Sequence, residues 1–466
     1  MSDIKSIMNT RNWPPLSRIL LLALTVCIGV VLFYMLSLQP FFGYMDDAEL
    51  IQQSIHTHSA GFWSEFWPLM RADYRWGMIR PLYPFMVAFL YGNAGDQPSV
   101  LFLLNFLLAM FAIIASAYAW THAFAPKILV APSQEQNRVL FLLAILFSMA
   151  WPWTHDLFLH PSLQEKLVLI AGAANLLWFS EAHENIKTPW YFLFTAIILL
   201  FGFGSKIQFA YFMPALLALM FYHWSQRKLQ WHKIAYVVAL FLIWLGATKL
   251  IAAQGIYTAQ FNYDNSWVNL WFGKPLILLT IGLIWIIYVF RNFSNSPLAV
   301  RLLAGAPAWS LLLYIAVVIP RGIGGYLLSP LGAILGIMLG FWLIQRQDAT
   351  KYGVVALLSL MAIGISIYRS SVFFGKLADV RILVYSQELA GIAQKGGHVT
   401  MCIEGASNLV YYAKRYRGID LSASSALAED PSNQYFIMDS KLCVIDQPRN
   451  QILWTSPHRQ SITIFR

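Results

Sequence analysis

Asp46 and Asp47 stand side by side in GYMDDAEL, where the first long apolar run of the chain ends, and Arg71, Arg75 and Arg80 follow within the same polar stretch. Charge collected at the exit of a hydrophobic helix suits two tasks. One carboxylate can take a proton from a hydroxyl, and the guanidinium groups can hold an anion, in this setting a phosphate-bearing lipid. Adjacent carboxylates also partly suppress each other's ionisation, which leaves one to bind a proton while its neighbour works. The same two residues would cap a helix beginning at Ala48, and capping and catalysis are compatible. The arginines equally suit anchoring to anionic headgroups. Further along, Lys206 and Arg321 each interrupt an apolar hairpin, and His155, Asp156, His160 and Glu165 cluster between two apolar runs on the same side. Cations and acids at such depth are expensive and mark functional sites. Snorkelling is the plain alternative for Lys206 and Arg321.

The elements that must position these groups are membrane helices. The 466 residues are 58% hydrophobic, 12% charged and include 18 Trp. The mean hydropathy is +0.57. A soluble domain of this composition would not stay in solution, so the chain reads as an integral membrane protein. The formal net charge of +10 fits Lys and Arg kept on the cytoplasmic side of many spans, and nucleic acid is not an expected partner.

The run from Ile19 to Leu38 follows a polar, basic start and is long enough to cross roughly 30 Å of hydrocarbon. No small-residue cleavage site follows it, so it reads as a retained signal anchor with a cytoplasmic N-terminus. Residues 39–97 form a first external loop, too polar to span and rich in Trp63, Trp67, Trp76 and Tyr83, with short interfacial helices over AELIQQSIHTH and PLYPFMVAFLYG. The remaining apolar runs bring the expected crossings to about eleven. Basic residues concentrate in alternate loops, at Lys127, Lys187, Arg227, Lys228, Lys233, Arg291, Arg301, Arg346 and Lys351. This alternation places the first loop and the tail outside.

The tail, 369–466, loses its apolar bias and reads as a small external α/β domain after a membrane domain over 1–368. HVTMCIE, QYFIMD and ITIFR read as strands, and SNLVYYAKRYRG reads as a helix. The tail holds Cys402 and Cys443, for which a disulfide worth about 4 kcal/mol and a pair of free thiols are both open. His56 and His58 face different ways on a helix and read as surface histidines, and no metal-ligand spacing is seen. No cofactor is indicated, and a divalent metal is left open.

The order of first span, acidic pair, interfacial helices and next span resembles the GT-C superfamily of polyprenyl-phosphate-dependent glycosyltransferases, among them the lipid A aminoarabinose transferases, the protein O-mannosyltransferases and the O-antigen-modifying glucosyltransferases. MDDAEL stands where that family carries its acidic pair. FGFGSKIQFAYFMP resembles the family's lysine-bearing turn, so the resemblance makes Lys206 a donor-phosphate ligand. HPSLQEKLVL resembles a proline-and-glutamate stretch with Glu165, and PRGIGGYLLSP an arginine-bearing one with Arg321. Lys166 directly after the glutamate, and the glycines between Arg321 and Tyr326, depart from the pattern. The resemblance covers the chain to about Tyr368. It implies an inverting transferase of the bacterial inner membrane that moves one sugar, glucose favoured, from undecaprenyl phosphate to a lipid-linked saccharide such as O-antigen on the periplasmic face. Asp46 would be the base. Arg71, Arg75, Arg80, Lys206 and Arg321 would hold the donor phosphate, and His155, Asp156, His160 and Glu165 would line the acceptor path. The other readings are a lipid-linked glycan polymerase or ligase, and a polyprenyl-lipid flippase or transporter, although the paired broken helices of a transporter are not seen.

Overall fold

A computed structural model describes residues 15–42, 47–75, 77–129, 132–254, 274–318, 328–346, 350–394, 398–402, 406–419, 434–439, 452–455 and 462–465. The helices in chain order are α1 (Leu16–Leu38), α2 (Asp47–Ala60), α3 (Phe62–Arg75), α4 (Tyr83–Ala94), α5 (Pro98–Ile128), α6 (Gln134–Ala150), α7 (Pro152–Leu159), α8 (Glu165–Ser180) and α9 (Thr188–Phe203). A 3-10 turn over Ile207–Phe212 leads into α10 (Met213–Ser225), followed by α11 (Trp231–Gln254), α12 (Lys274–Asn292), α13 (Leu298–Val318), α14 (Leu331–Ile344), α15 (Thr350–Val384) and α16 (Gln387–Gln394).

Every apolar run carries a helix, for the reason the composition gave: away from water, a backbone satisfies its own polar groups most simply in a helix. Among the described residues, α1, α5, the 3-10 turn with α10, α11, and α15 extended to Ile392 are long and apolar enough to cross a membrane. α6 and α7 would make one further crossing, bent by 79° at Trp151. α9, α12, α13 and α14 are shorter apolar helices, so the expected eleven crossings rest partly on helices below the usual length. Outward faces are apolar, as lipid requires: Leu22 on α1, Ile243 and Leu250 on α11, Ile287 on α12 and Leu360 on α15 are all about two-thirds exposed.

Packing inside the bundle uses small residues. α14 lies on α6 through Gly332, Gly336 and Gly340, four residues apart on one face. A Cβ on Gly336 would sit 2.6 Å from Ala144 Cα and 2.8 Å from the Leu143 carbonyl oxygen. Close backbone approach of this kind is how apolar helices bind one another where lipid is as apolar as leucine. α6 begins in a capping box, with Gln136 N donating to Ser133 Oγ (3.1 Å) and Ser133 N donating to Gln136 Oε1 (2.8 Å). Beside it, Ser17 of α1 donates to both oxygens of Glu135.

α15 packs along α1 and continues without a break past residue 368 to Val384. The domain boundary read from composition therefore falls inside one helix. Beyond it come β1 (His398–Cys402), α17 (Ala406–Arg417), β2 (Gln434–Asp439), β3 (Ile452–Thr455) and β4 (Ile462–Phe465). The sheet order is β1-β2-β4-β3. β1 runs parallel to β2 (Thr400 opposite Phe436), and β4 is antiparallel to both β2 (Ile437 opposite Ile464) and β3. A parallel β1–β2 pair needs a crossover, and α17 lies within it.

Candidate active site

α1 ends at Gln39, whose left-handed backbone (φ 45°) turns the chain. Phe41 and Phe42 bury themselves immediately after, and α2 starts at Asp47. An acid in the first turn suits the positive end of the helix dipole. Asp47 is only 2% exposed, and its carboxylate accepts a hydrogen bond from the hydroxyl of Tyr91 on α4. Burial, and then the Asp47 charge, push the Tyr91 phenol well above its ordinary range, so it stays a donor.

The next group comes from α8. Lys166 is fully buried, and its ammonium donates to three carbonyls at the α7–α8 link: His160 (2.9 Å), Pro161 (3.3 Å) and Leu157 (3.4 Å). Its three donors are thereby matched at the negative end of α7, and its charge is felt by both Glu165 and Asp47. Glu165 is also fully buried. Its Oε1 accepts from Lys206 Nζ at 2.6 Å, and its Oε2 has no hydrogen-bond partner among the described residues.

Lys206 is carried there by the turn after α9. The first loop docks on this turn: Leu82 N donates to the Gly204 carbonyl at 3.3 Å, and a Cβ on Gly204 would meet Pro81 Cγ at 2.9 Å. The docking brings in Arg80, which pairs bidentately with Asp73 of α3, with Nε to Oδ2 at 3.0 Å. The guanidinium also lies 4.9 Å from the centre of the Tyr83 ring. Lys206 is close enough for Asp73 to feel its charge; even so, burial outweighs both cations and raises the Asp73 carboxyl above its usual value. Asp47, Glu165 and Asp73 thus alternate with Lys166, Lys206 and Arg80, three acids against three bases.

The structure therefore brings Asp47, Glu165, Lys206 and Arg80 together. It does not bring Arg71 and Arg75. Both are exposed on α3, beside the exposed rings of Trp63, Trp67 and Tyr74, where an amphipathic helix presents its headgroup-facing side. Asp46, Arg321 and Cys443 lie outside the described residues, and of Cys402 only its place on β1 is described.

His155 and Asp156 form a second polar group on α7. His155 is fully buried with Nε2 3.4 Å from Ser370 Oγ, and Asp156 pairs with Arg369, both partners coming from α15. His160 sets its ring edge-on to Phe373 (4.6 Å between centres). Lys166 ties the two groups together, since the carbonyls it holds belong to Leu157, His160 and Pro161.

Sequence reasoning missed Tyr91, Asp73, Lys166 and Arg369. Asp73 was open to view, a lone acid between Arg71 and Arg75 in RADYR. Tyr91 carried no signal, because one tyrosine in an aromatic interfacial helix looks like its neighbours. Among the described residues no group of three or more His, Cys, Asp or Glu is arranged to hold a metal ion.

No family model matches the chain, and no curated protein matches it. Among solved structures it is similar to ArnT from Cupriavidus metallidurans bound to undecaprenyl phosphate, with a TM-score of 0.46 and 12% identity over 96% of this chain and 97% of that one. The same protein in its apo state is similar at a TM-score of 0.35, again with 12% identity and the same coverage.

Proposed function

We propose that the chain is a polyprenyl-phosphate-sugar-dependent glycosyltransferase of the GT-C kind, working on the periplasmic face of the bacterial inner membrane. The observation that carries the reading is the row of alternating charge beyond the exit of α1: Asp47, held by Tyr91, and Glu165 both act on Lys166, Glu165 pairs with Lys206, and Lys206 acts on Asp73, which pairs with Arg80.

In this reading Asp46 or Asp47 takes the proton from an acceptor hydroxyl as its oxygen attacks the anomeric carbon of the donor sugar. The bond between that carbon and the phosphate oxygen breaks on the opposite face, and the configuration inverts. The bonding electrons leave with polyprenyl phosphate, whose growing charge Lys206 and Arg80 stabilise. Arg321 joins them if the family pattern holds. Tyr91 orients Asp47, while His155, Asp156 and His160, with Arg369, flank the acceptor path. Glucose from undecaprenyl phosphate is the favoured donor unit, and a lipid-linked saccharide such as O-antigen the favoured acceptor.

The test is transfer of labelled sugar from undecaprenyl phosphate in membranes holding equal amounts of folded wild type, Asp46→Asn and Asp47→Asn. Asparagine keeps the size and the capping oxygen but cannot take the proton. One of the two variants is expected to lose about 10²–10⁴ in rate. Near-normal transfer by both overturns the assignment, and absence of transfer by wild type with any polyprenyl-phosphate sugar overturns the reaction.

A further inference from the structure

The C-terminal unit touches the candidate site through one helix. α17 lies against α2 and α15. Its Tyr412 stacks on Phe42 (5.8 Å between ring centres, 27° between planes) and meets Phe41 edge-on at 5.2 Å. Tyr416, one turn on, repeats the pattern on the same two rings at 5.9 Å and 5.3 Å. Phe41, Phe42 and Tyr412 are all nearly or fully buried. At the rim, Arg415 grips Asp96, just beyond α4, through two bonds of 2.8 and 2.9 Å from one nitrogen and a third of 3.3 Å from Nε. Phe42 precedes the acidic pair by only four residues. Tyr412 reaches further: burial first, and then the nearby Asp47 carboxylate, disfavour ionisation of its phenol. Among the groups that face Asp47 are Tyr91 from α4, Lys166 from α8 and Tyr412 from α17.

We infer that Tyr412 is a positioning residue for Asp47: α17 clamps the Phe41–Phe42 segment and thereby sets where Asp47 stands relative to Lys166. The inference rests on the transferase reading for its kinetic consequence only. Aromatic stacking supplies the clamp, and the Arg415–Asp96 pair fixes its register; an exposed pair of that kind adds little energy by itself.

The experiment uses the full-length protein in detergent and in membranes, with two readouts. The first is hydrogen exchange of the segment from Phe41 to Ala60, which needs no activity. The second is kcat and the donor KM of sugar transfer. Tyr412→Leu is expected to speed exchange across that segment and to lower kcat by between about tenfold and a hundredfold, the size of a small misplacement of a reacting group. The donor KM should change much less. Tyr412→Phe keeps the ring, so it should restore protection and most of kcat. If Tyr412→Leu does not fold, Arg415→Asp takes its place, and the swap Asp96→Arg with Arg415→Asp should return both readouts toward wild type. Unchanged exchange and unchanged kcat in the folded variant overturn the inference. If wild type transfers no sugar, the exchange arm still decides the clamp, so failure of the reaction and failure of the clamp are told apart.

Discussion

Lys206→Met removes one partner of the pair that joins the turn after α9 to α8. Lys206 Nζ and Glu165 Oε1 are 2.6 Å apart, the carboxylate is fully buried, and the lysine side chain is 16% exposed. With an effective dielectric constant of about 20, that separation corresponds to an attraction of roughly 6 kcal/mol. Desolvating the two ions offsets much of it, so the net worth of the pair is small. Removing only the lysine is different. It leaves neither oxygen of Glu165 hydrogen-bonded among the described residues, since Oε2 already has no partner there, and an uncompensated buried charge costs about 3–5 kcal/mol. Lys166 cannot turn to help without giving up the carbonyls of Leu157, His160 and Pro161. Lys206→Met alone should therefore lower the thermal midpoint, followed by tryptophan fluorescence in detergent, by several degrees. Glu165→Met with Lys206→Met replaces both ions by apolar chains of similar length and should recover most of the loss. Sugar transfer should not recover, because the cation proposed to hold the donor phosphate is gone from both variants. Additive costs, with no recovery of stability in the double variant beyond about 0.5 kcal/mol, would refute the pairing argument. Recovery of transfer along with stability would refute the role of Lys206 toward phosphate.

The arginines of the first loop separate in the same assay: Arg80→Gln, which loses charge-assisted bonds worth about 1.5–3 kcal/mol, should lower transfer roughly ten- to hundredfold. Arg71→Gln and Arg75→Gln, exposed on α3, should change it by roughly twofold or less; equal effects at all three would return them to one site. Gly336→Ala forces a Cβ to within 2.6 Å of Ala144 Cα and should cost about 1–3 kcal/mol as α14 is pushed off α6. Gly353→Ala on α15, with nothing within 4 Å, is the control, and an equal midpoint for the two would refute the close approach. In oxidised, intact protein Cys402 and Cys443 should resist alkylation until reduced; ready labelling of both would exclude the disulfide.

What could be read from the sequence was whatever the membrane makes costly. An acidic pair at the end of an apolar run, a lysine in an apolar hairpin and a glutamate opening a helix each stand out against a background where charge is rare. Asp47, Lys206 and Glu165 were visible for that reason. Their pairing was not visible, because Lys206 and Glu165 are 41 residues apart and only the stacking of α8 against the turn after α9 makes them neighbours. Arg71 and Arg75 show the converse. At an interface charge is cheap, so an arginine there carries no information about a site, and the first loop's composition could not tell the inward Arg80 from the outward pair.

The boundary read at 368 falls inside α15 for a related reason. Composition shifts at Arg369 because the chain leaves hydrocarbon there, but a helix has no cause to stop where its solvent changes. α15 runs on to Val384 because polar partners await its next turns: Asp156 for Arg369, His155 for Ser370, and Gln39 for Arg381, whose guanidinium donates to the Gln39 side chain at 2.6 Å. These contacts tie the extension of α15 to α7, whose Leu157 carbonyl Lys166 holds, and to the end of α1. A helix that begins as a membrane span thus ends as a strut for the loop chemistry, and α17 docks against it. Hydropathy marks where the solvent changes and is silent about such a strut, whose evidence lies in partners more than two hundred residues away in the chain.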